Sequence, residues 1–255
     1  MYAARRIISV PAKRQMILLP FLAIVALLLS TSARSEDSPG LLPFEVSYDA
    51  SMEKGLSLNG SAKRILTSQG NGVWLYRTDV NSFIADIDES LILKWEDGRV
   101  IPIRYRYRLS GFMIKDREQS IDFDWKAGVA TGKYRGKAFE VELEEGTLDP
   151  LGFQIQLHQD IRNGMREMEY QVLDRGKIDS ERFAVVNDDA GISDSDSADA
   201  SQSSYLKAEK IRESSKRQTL MWFDPDNNFV LAHLLQIEPD GSRYQLSLKK
   251  VDLGN

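Results

Sequence analysis

Asp122 and Asp124 stand on either side of Phe123, so on an extended strand both carboxylates project from one face. Two neighbouring carboxyl groups can divide the acid and base roles of glycoside hydrolysis. The same spacing describes the solvated side of a strand that buries Ile121, Phe123 and Trp125, and the pair is read that way here. Arg104, Arg106 and Arg108 alternate with Ile103, Tyr105 and Tyr107 and form a cationic row able to fork onto phosphates or carboxylates of a glycolipid or polysaccharide. The competing use is a solvent-facing row paired with acids across the sheet, such as Glu140 and Glu142. His158 and His233 are the only histidines, and a zinc or serine-triad site would have to draw its partners from distant segments. No Gly-x-Ser-x-Gly elbow is present, so both are given structural roles, His158 on a helix and His233 in an apolar strand. Asp188, Asp189, Asp194, Asp196 and Asp199 offer oxygen ligands for Ca²⁺, without the EF-hand spacing that places Gly sixth and Glu twelfth. No catalytic residue, metal ligand or cofactor site is assigned, and the chain is read as a protein other than an enzyme.

The aromatic residues carry the stronger functional hint. Trp74, Trp95, Trp125 and Trp222 stand among 9 Tyr and 10 Phe. A core of this size uses most of them for packing, yet a curved antiparallel sheet can also enclose a ligand. In that arrangement Tyr48, Ile103, Tyr105, Tyr107, Phe123 and Trp125, together with Phe44 and Val46, line a concave face around a void of at least about 300 Å³. Arg104, Arg106 and Arg108 then point outward toward anionic headgroups or a protein partner. The alternative is a filled interior in which the same side chains interdigitate at core density.

Short alternating segments must position these residues. Phe44, Val46, Tyr48, Ala50 and Met52 mark one apolar row, and residues 73–80, 83–87 and 103–109 continue the strand pattern. Ile121-Phe123-Trp125, Phe139-Val141-Leu143, Met168-Tyr170-Val172, Leu220-Trp222, Phe229-Leu231 and Tyr244-Leu246-Leu248 follow in the same manner. Asn59-Gly60, Asn71-Gly72, Asp97-Gly98 and Asp240-Gly241 read as tight hairpin turns. One segment breaks the pattern: Thr147 or Asp149 can cap a helix with Pro150 in its first turn, with Leu151, Ile155 and Ile161 on one face and an end near Asn163-Gly164. Residues 187–204 lose the apolar rows and read as a flexible acidic loop. The expected architecture is mostly β, a single strongly curved antiparallel sheet forming a half-barrel or barrel, with one short helix packed against it.

Composition sets the compartment. Arg5, Arg6, Lys13 and Arg14 precede an apolar run from Met16 to Leu29 and the small residues Ser30-Thr31-Ser32-Ala33. That order describes a secretory signal peptide over residues 1–33, cleaved after Ala33 or alternatively after Ser35, with a single β-rich domain over 34–255 and a periplasmic destination. The 14-residue apolar run is short of the about 20 residues of a spanning helix, so no stable transmembrane anchor is expected. Arg5-Arg6 serves as an ordinary charged region rather than a twin-arginine signal. Removing four basic residues takes the net charge from −5 to −5 − 4 = −9, a surface that repels nucleic acid. The absence of Cys excludes disulfides, thiolate chemistry and a lipid-modified N-terminal cysteine.

The ordered motifs also carry a family resemblance. Pro43-Phe44-Glu45-Val46-Ser47-Tyr48, Pro102-Ile103-Arg104-Tyr105-Arg106-Tyr107, Phe123-Asp124-Trp125, Asp149-Pro150-Leu151, Asp174-Arg175-Gly176, Leu220-Met221-Trp222-Phe223 and Gln236-Ile237-Glu238-Pro239-Asp240-Gly241 occur in this order. The series resembles the exported Gram-negative proteins of the family designated domain of unknown function 3108, over nearly the whole mature chain. The resemblance implies a periplasmic β-rich protein and brings no activity and no catalytic residues. Residues 187–204 depart from it, since family members are more compact there and carry a Gly-Glu turn. Two functions are compatible with all this: a binding module holding a lipid or other apolar or amphipathic envelope molecule, or a structural, partner-binding envelope protein with a packed interior.

Overall fold

Alternating side chains give each strand one apolar face, and the strands bury those faces by pairing into one sheet that curls on itself. The computed structural model describes residues 40–55, 57–82, 84–112, 114–186 and 205–254; the signal peptide expected over residues 1–33, the two cleavage points expected for it and the acidic stretch 187–204 lie outside the described residues. The elements are β1 (Phe44–Glu53), β2 (Ser57–Gly70), β3 (Val73–Ser82), β4 (Asp86–Glu96), β5 (Arg99–Ser110), β6 (Arg117–Asp124), β7 (Val129–Tyr134) and β8 (Lys137–Glu142). After them come helix α1 (Gly152–Arg162), then β9 (Glu167–Asp174), β10 (Lys177–Val186), β11 (Leu206–Ile211), β12 (Gln218–Asp224), β13 (Val230–Ile237) and β14 (Arg243–Leu253). They form a 14-stranded antiparallel sheet in the order β8-β7-β6-β5-β4-β3-β2-β1-β14-β13-β12-β11-β10-β9. The sheet is open, with β8 and β9 at its edges. One apolar cluster nevertheless takes Ile121 and Ala130 from one end of that order and Tyr170 and Phe183 from the other, which requires strong curvature. The half-barrel expectation holds.

α1 runs inside the curl. Asp149 Oδ1 accepts hydrogen bonds from the backbone N–H of Leu151 and Gly152 at 2.9 and 3.1 Å, satisfying donors at the helix start. Arg162 stands in the last turn, and Gly164 follows at φ +84°. Leu151, Ile155, Leu157 and Ile161 are each no more than 3% exposed. Ile155 and Leu157 point to nearly opposite sides of a helix, so α1 is enclosed rather than laid on the sheet by one face. Gln156 ties it to the β4–β5 hairpin: Oε1 accepts from Val100 N at 2.8 Å and Nε2 donates to Gly98 O at 3.1 Å. His158 ties it to the β12–β13 turn, its Nε2–H donating to Asn228 O at 2.7 Å.

Several local expectations are corrected. Asn59-Gly60 is no turn; both residues lie within β2, and Gly60 pairs with Ser82 so closely that a Cβ there would meet Asn81 O at 2.5 Å. The chain reverses instead between Glu53 and Ser57, with Gly55 at φ +72°. Asn71-Gly72 and Asp97-Gly98 are tight turns with two successive positive φ angles, and Arg135-Gly136 and Arg175-Gly176 use the same device. The strand read over 83–87 begins only at Asp86, because Ser82 closes a turn through Oγ to Ala85 O at 2.8 Å. Ile103 leaves the apolar row of β5. Leu93 pairs with Pro102 and Ile92 with Arg104, so Ile103 is the extra residue of a β-bulge. The bulge shifts the buried phase from Val100 and Pro102 to Tyr105 and Leu109.

Candidate functional site

Val46 and Tyr48 of β1 are each 1% exposed and face inward together with the half-buried Phe44. α1 presents Phe153, Ile155, Leu157 and His158 to the same space, and Met221 and Phe223 of β12 with Leu231 and Leu234 of β13 form the far wall. Between them lies a cavity of about 240 Å³. The Phe44 ring meets Tyr76 and His158 edge-on at 6.1 and 6.2 Å, which fixes that wall. Burial holds the His158 imidazole below its ordinary pKa, so the ring facing the cavity is neutral. Thr219 and Gln236, paired across β12 and β13, give the cavity a polar margin with Lys210 and Arg212.

The structure redistributes the expected site residues. Tyr48 lines the cavity, whereas Ile103 sits in the bulge and Phe123 and Trp125 do not reach the cavity. Those two rings stack 6.0 Å apart at 12°, and Trp125 Nε1 donates to Pro102 O at 2.7 Å, filling that part of the concave face. Tyr105 and Tyr107 face a second, more polar cleft of about 160 Å³ with Glu89, Gln119, Tyr134 and Asp174. The void expected across the whole concave face is thus replaced by a smaller one confined to the half opposite β5 and β6, where α1 leaves room.

The arginine row is partly committed elsewhere. Arg104 Nε donates to Asp122 Oδ1 at 3.0 Å, and Arg106 Nη2 donates to both Asp122 oxygens at 2.9 and 3.0 Å. Asp122, rather than Glu140 or Glu142, is therefore their acidic partner. Partial burial pushes the Asp122 carboxyl up, but the hydrogen bonds and charges of Arg106 and Arg104 outweigh it and hold the group below its usual range. Asp124 Oδ1 closes the following turn by accepting from Ala127 N at 2.9 Å. Arg108 is exposed on an outer groove beside Asp88, Glu118 and Lys133. Among the described residues no cluster of three or more His, Asp or Glu side chains is placed to hold a metal ion, and no helix is long and apolar enough to cross a membrane.

A polar row crosses the concave face beside the cavity. Cross-strand registers align Val46, Arg64, Thr78, Glu89, Tyr107, Gln119 and Tyr134 in succession. Arg64 lies between Ala62 and Leu66, which are 3% and 1% exposed, so its side chain points inward and lines the cavity. It donates to the Tyr76 hydroxyl, and its guanidinium lies 5.7 Å from the centre of the Tyr48 ring. Burial works against its charge, but the phenolic oxygens of Tyr76 and Tyr48 and the carboxylate of Glu89 outweigh that and keep it protonated. Glu89 accepts a hydrogen bond from the Tyr105 hydroxyl, and burial raises its carboxyl pKa. The buried atoms Arg64 Nε, Thr78 Oγ1 and Gln119 Nε2 of this row have no hydrogen-bond partner. Sequence reasoning missed Arg64 and Glu89, although a charged residue at the centre of Ala62-x-Arg64-x-Leu66 is a readable signal of an inward cation.

Comparison with known proteins follows the architecture. A family model described as "Protein of unknown function (DUF3108)" matches residues 47–249. No curated protein matches the chain. Among solved structures, a β-barrel-like protein of domain of unknown function DUF1849 from Brucella abortus is similar, with a TM-score of 0.55 at 13% identity, covering 85% of this chain and 99% of that one. At that identity the likeness concerns the fold alone.

Proposed function

The chain belongs to the DUF3108 family, whose description names no activity, and on that premise we propose that it is an exported, non-enzymatic binding protein of the cell envelope. It holds an apolar or amphipathic molecule in the cavity bounded by β1, α1, β12 and β13. The observation that carries this reading is the cavity itself: apolar side chains, most of them from β1, α1, β12 and β13, surround about 240 Å³, and the helix bounding it is tied at its middle, through Gln156 and His158, to two different hairpins instead of collapsing into the space. Export rests on the basic, apolar and small-residue order of residues 1–33. N-terminal sequencing of the protein from the envelope fraction is expected to begin at Arg34 or Glu36, and a start at Met1 would refute export.

The ligand reading is tested by extracting lipids from protein purified out of the periplasm and identifying them by mass spectrometry. A stoichiometric apolar or amphipathic molecule is the expected result. A second reading, a packed module that binds a protein partner, is favoured by the half of the concave face that α1, Phe123 and Trp125 fill. An extract with no enriched molecule would leave that second reading standing.

A further inference from the structure

The charges of the cavity identify what sort of amphiphile fits. Its wall contains Arg64, Lys210 and Arg212, and among the described residues no Asp or Glu lines it. This is unexpected in a chain of net charge −5, where a wall drawn at random would include carboxylates. Two of the three cations are engaged at the polar margin. Lys210 contacts Glu181, and burial with Arg212 and Arg217 nearby pulls its ammonium down to about 8. Arg212 Nη2 donates to Thr219 Oγ1 at 3.1 Å and Nη1 to Arg217 O at 3.4 Å.

Arg64 differs from both. Its Nε is buried without a partner, its hydrogen bond goes to a neutral phenol, and the carboxylate acting on it belongs to Glu89, two strands away and already bonded to Tyr105. A half-buried guanidinium on a largely apolar wall, with its Nε sealed off and unpartnered, is costly to maintain unless an anion meets its cavity-facing side. A planar fork of N–H donors suits a carboxylate, whose two oxygens it can bind together. The volume limits the rest of the ligand: about 240 Å³ lies below the roughly 300–1,000 Å³ of pockets for drug-sized molecules, leaving room for one chain rather than two.

The geometry points to a single-chain carboxylate amphiphile of the fatty-acid class, with its chain along Phe44, Leu157 and Leu231 and its carboxylate on Arg64. This inference rests on the binding reading above and goes further by fixing the charge and chain number of the ligand. Lys210 and Arg212 supply a positive field at the margin that favours arrival of an anion.

Calorimetric titration of the purified protein with dodecanoate, 1-dodecanol and dodecyltrimethylammonium separates the two levels. Dodecanoate is expected to bind at least about tenfold tighter than the alcohol, and the cation more weakly than either. Arg64→Met is expected to bring dodecanoate down to the affinity of the alcohol while leaving the alcohol within about threefold of its original value. Arg64→Lys, which keeps the charge and loses the fork, should retain part of the preference. Circular dichroism establishes that each variant is folded, and the comparison of three ligands on the unmutated protein stands even if neither variant is. Equal binding of acid and alcohol overturns the carboxylate inference and leaves an apolar ligand possible. Binding of none of the three overturns the cavity reading as well. Loss of the preference in Arg212→Met but not in Arg64→Met overturns the assignment of the anchor.

Discussion

Asp149 offers a quantitative test of how α1 is seated. The side chain is 0% exposed; Oδ1 serves the first helical N–H groups, and Oδ2 has no partner. Burial pushes its carboxyl up from 3.8 to about 7 against the backbone hydrogen bonds of Leu151 and Gly152. In the unfolded chain the group ionises near pH 4, whereas in the folded protein it holds its proton until about pH 7. Stability from this group is complete below about pH 4 and falls as pH rises through the window to about 7. A difference of about 3 pKa units corresponds to roughly 4 kcal/mol, of which about 3 kcal/mol falls between pH 4.5 and 8. Asp149→Asn keeps an oxygen for the Leu151 and Gly152 amides and cannot ionise. Urea denaturation at both pH values is therefore expected to show the variant gaining about 3 kcal/mol relative to the unmodified protein as pH rises. His158 and every other titrating group are shared by both proteins, so they drop out of this difference. Parallel pH profiles would show that Asp149 is solvated or ionised in the folded protein and that the helix start is not sealed.

Gly132→Ala should lower stability by at least about 2 kcal/mol, read as a drop of about 4 °C or more in Tm, since the added Cβ would lie 2.1 Å from Ser120 O and 2.6 Å from Phe139. A Tm within 1 °C of the original, to order of magnitude, would mean that β6, β7 and β8 are looser than described. Trp125→Phe is expected to lose about 1 kcal/mol in chemical denaturation, from the missing Nε1–H donor to Pro102 O. Replacing residues 187–204 by a short Gly/Ser linker should move Tm by less than about 5 °C, because β10 and β11 are already paired up to Val186 and Lys207.

The strands were legible wherever one face is buried along the whole element, as in Phe44-Val46-Tyr48, because alternation is then a direct print of the fold. Ile103 escaped because a bulge is created by how β5 pairs with β4, and nothing in Pro102-Ile103-Arg104 records the partner's register. Asn59-Gly60 carried the strongest local turn signal of the first hairpin, yet close approach of β3 claims that glycine for the sheet interior. Asp149 and the Asn163-Gly164 ending placed the helix, since caps are local chemistry, although Pro150, expected in its first turn, lies just before its start at Gly152. Its position inside the curl was less accessible; Leu157, nearly opposite Ile155 on the helix, was the residue that recorded it. The aromatic residues gave the presence of a concave face, but Phe123 and Trp125 pack into it while Phe44 and Tyr48 border space, a division decided by where α1 lies. Arg64 was not legible as a site because it is a single charge in β2, whose inward phase is fixed by pairing with β1 and β3, whereas Arg104, Arg106 and Arg108 announce a row by their spacing alone.

The order of strands carries a kinetic meaning. β1 and β14 are sheet neighbours, and Lys249 meets Asp49 across 200 residues of chain. Strands β1 to β8 form one local meander and β9 to β14 a second, so each can zip up by hairpin closures between sequence neighbours, all of them short except the β10–β11 connection across residues 187–205. The seam between them forms only after the last residues of the chain are available. Until then β1 presents an unpaired edge in the middle of what will become the sheet, the kind of surface on which chains aggregate. Folding is therefore expected to be slow and to finish late, with the β1–β14 seam as its final step. A chain delivered from its N-terminus has to be shielded at β1 until its C-terminus arrives.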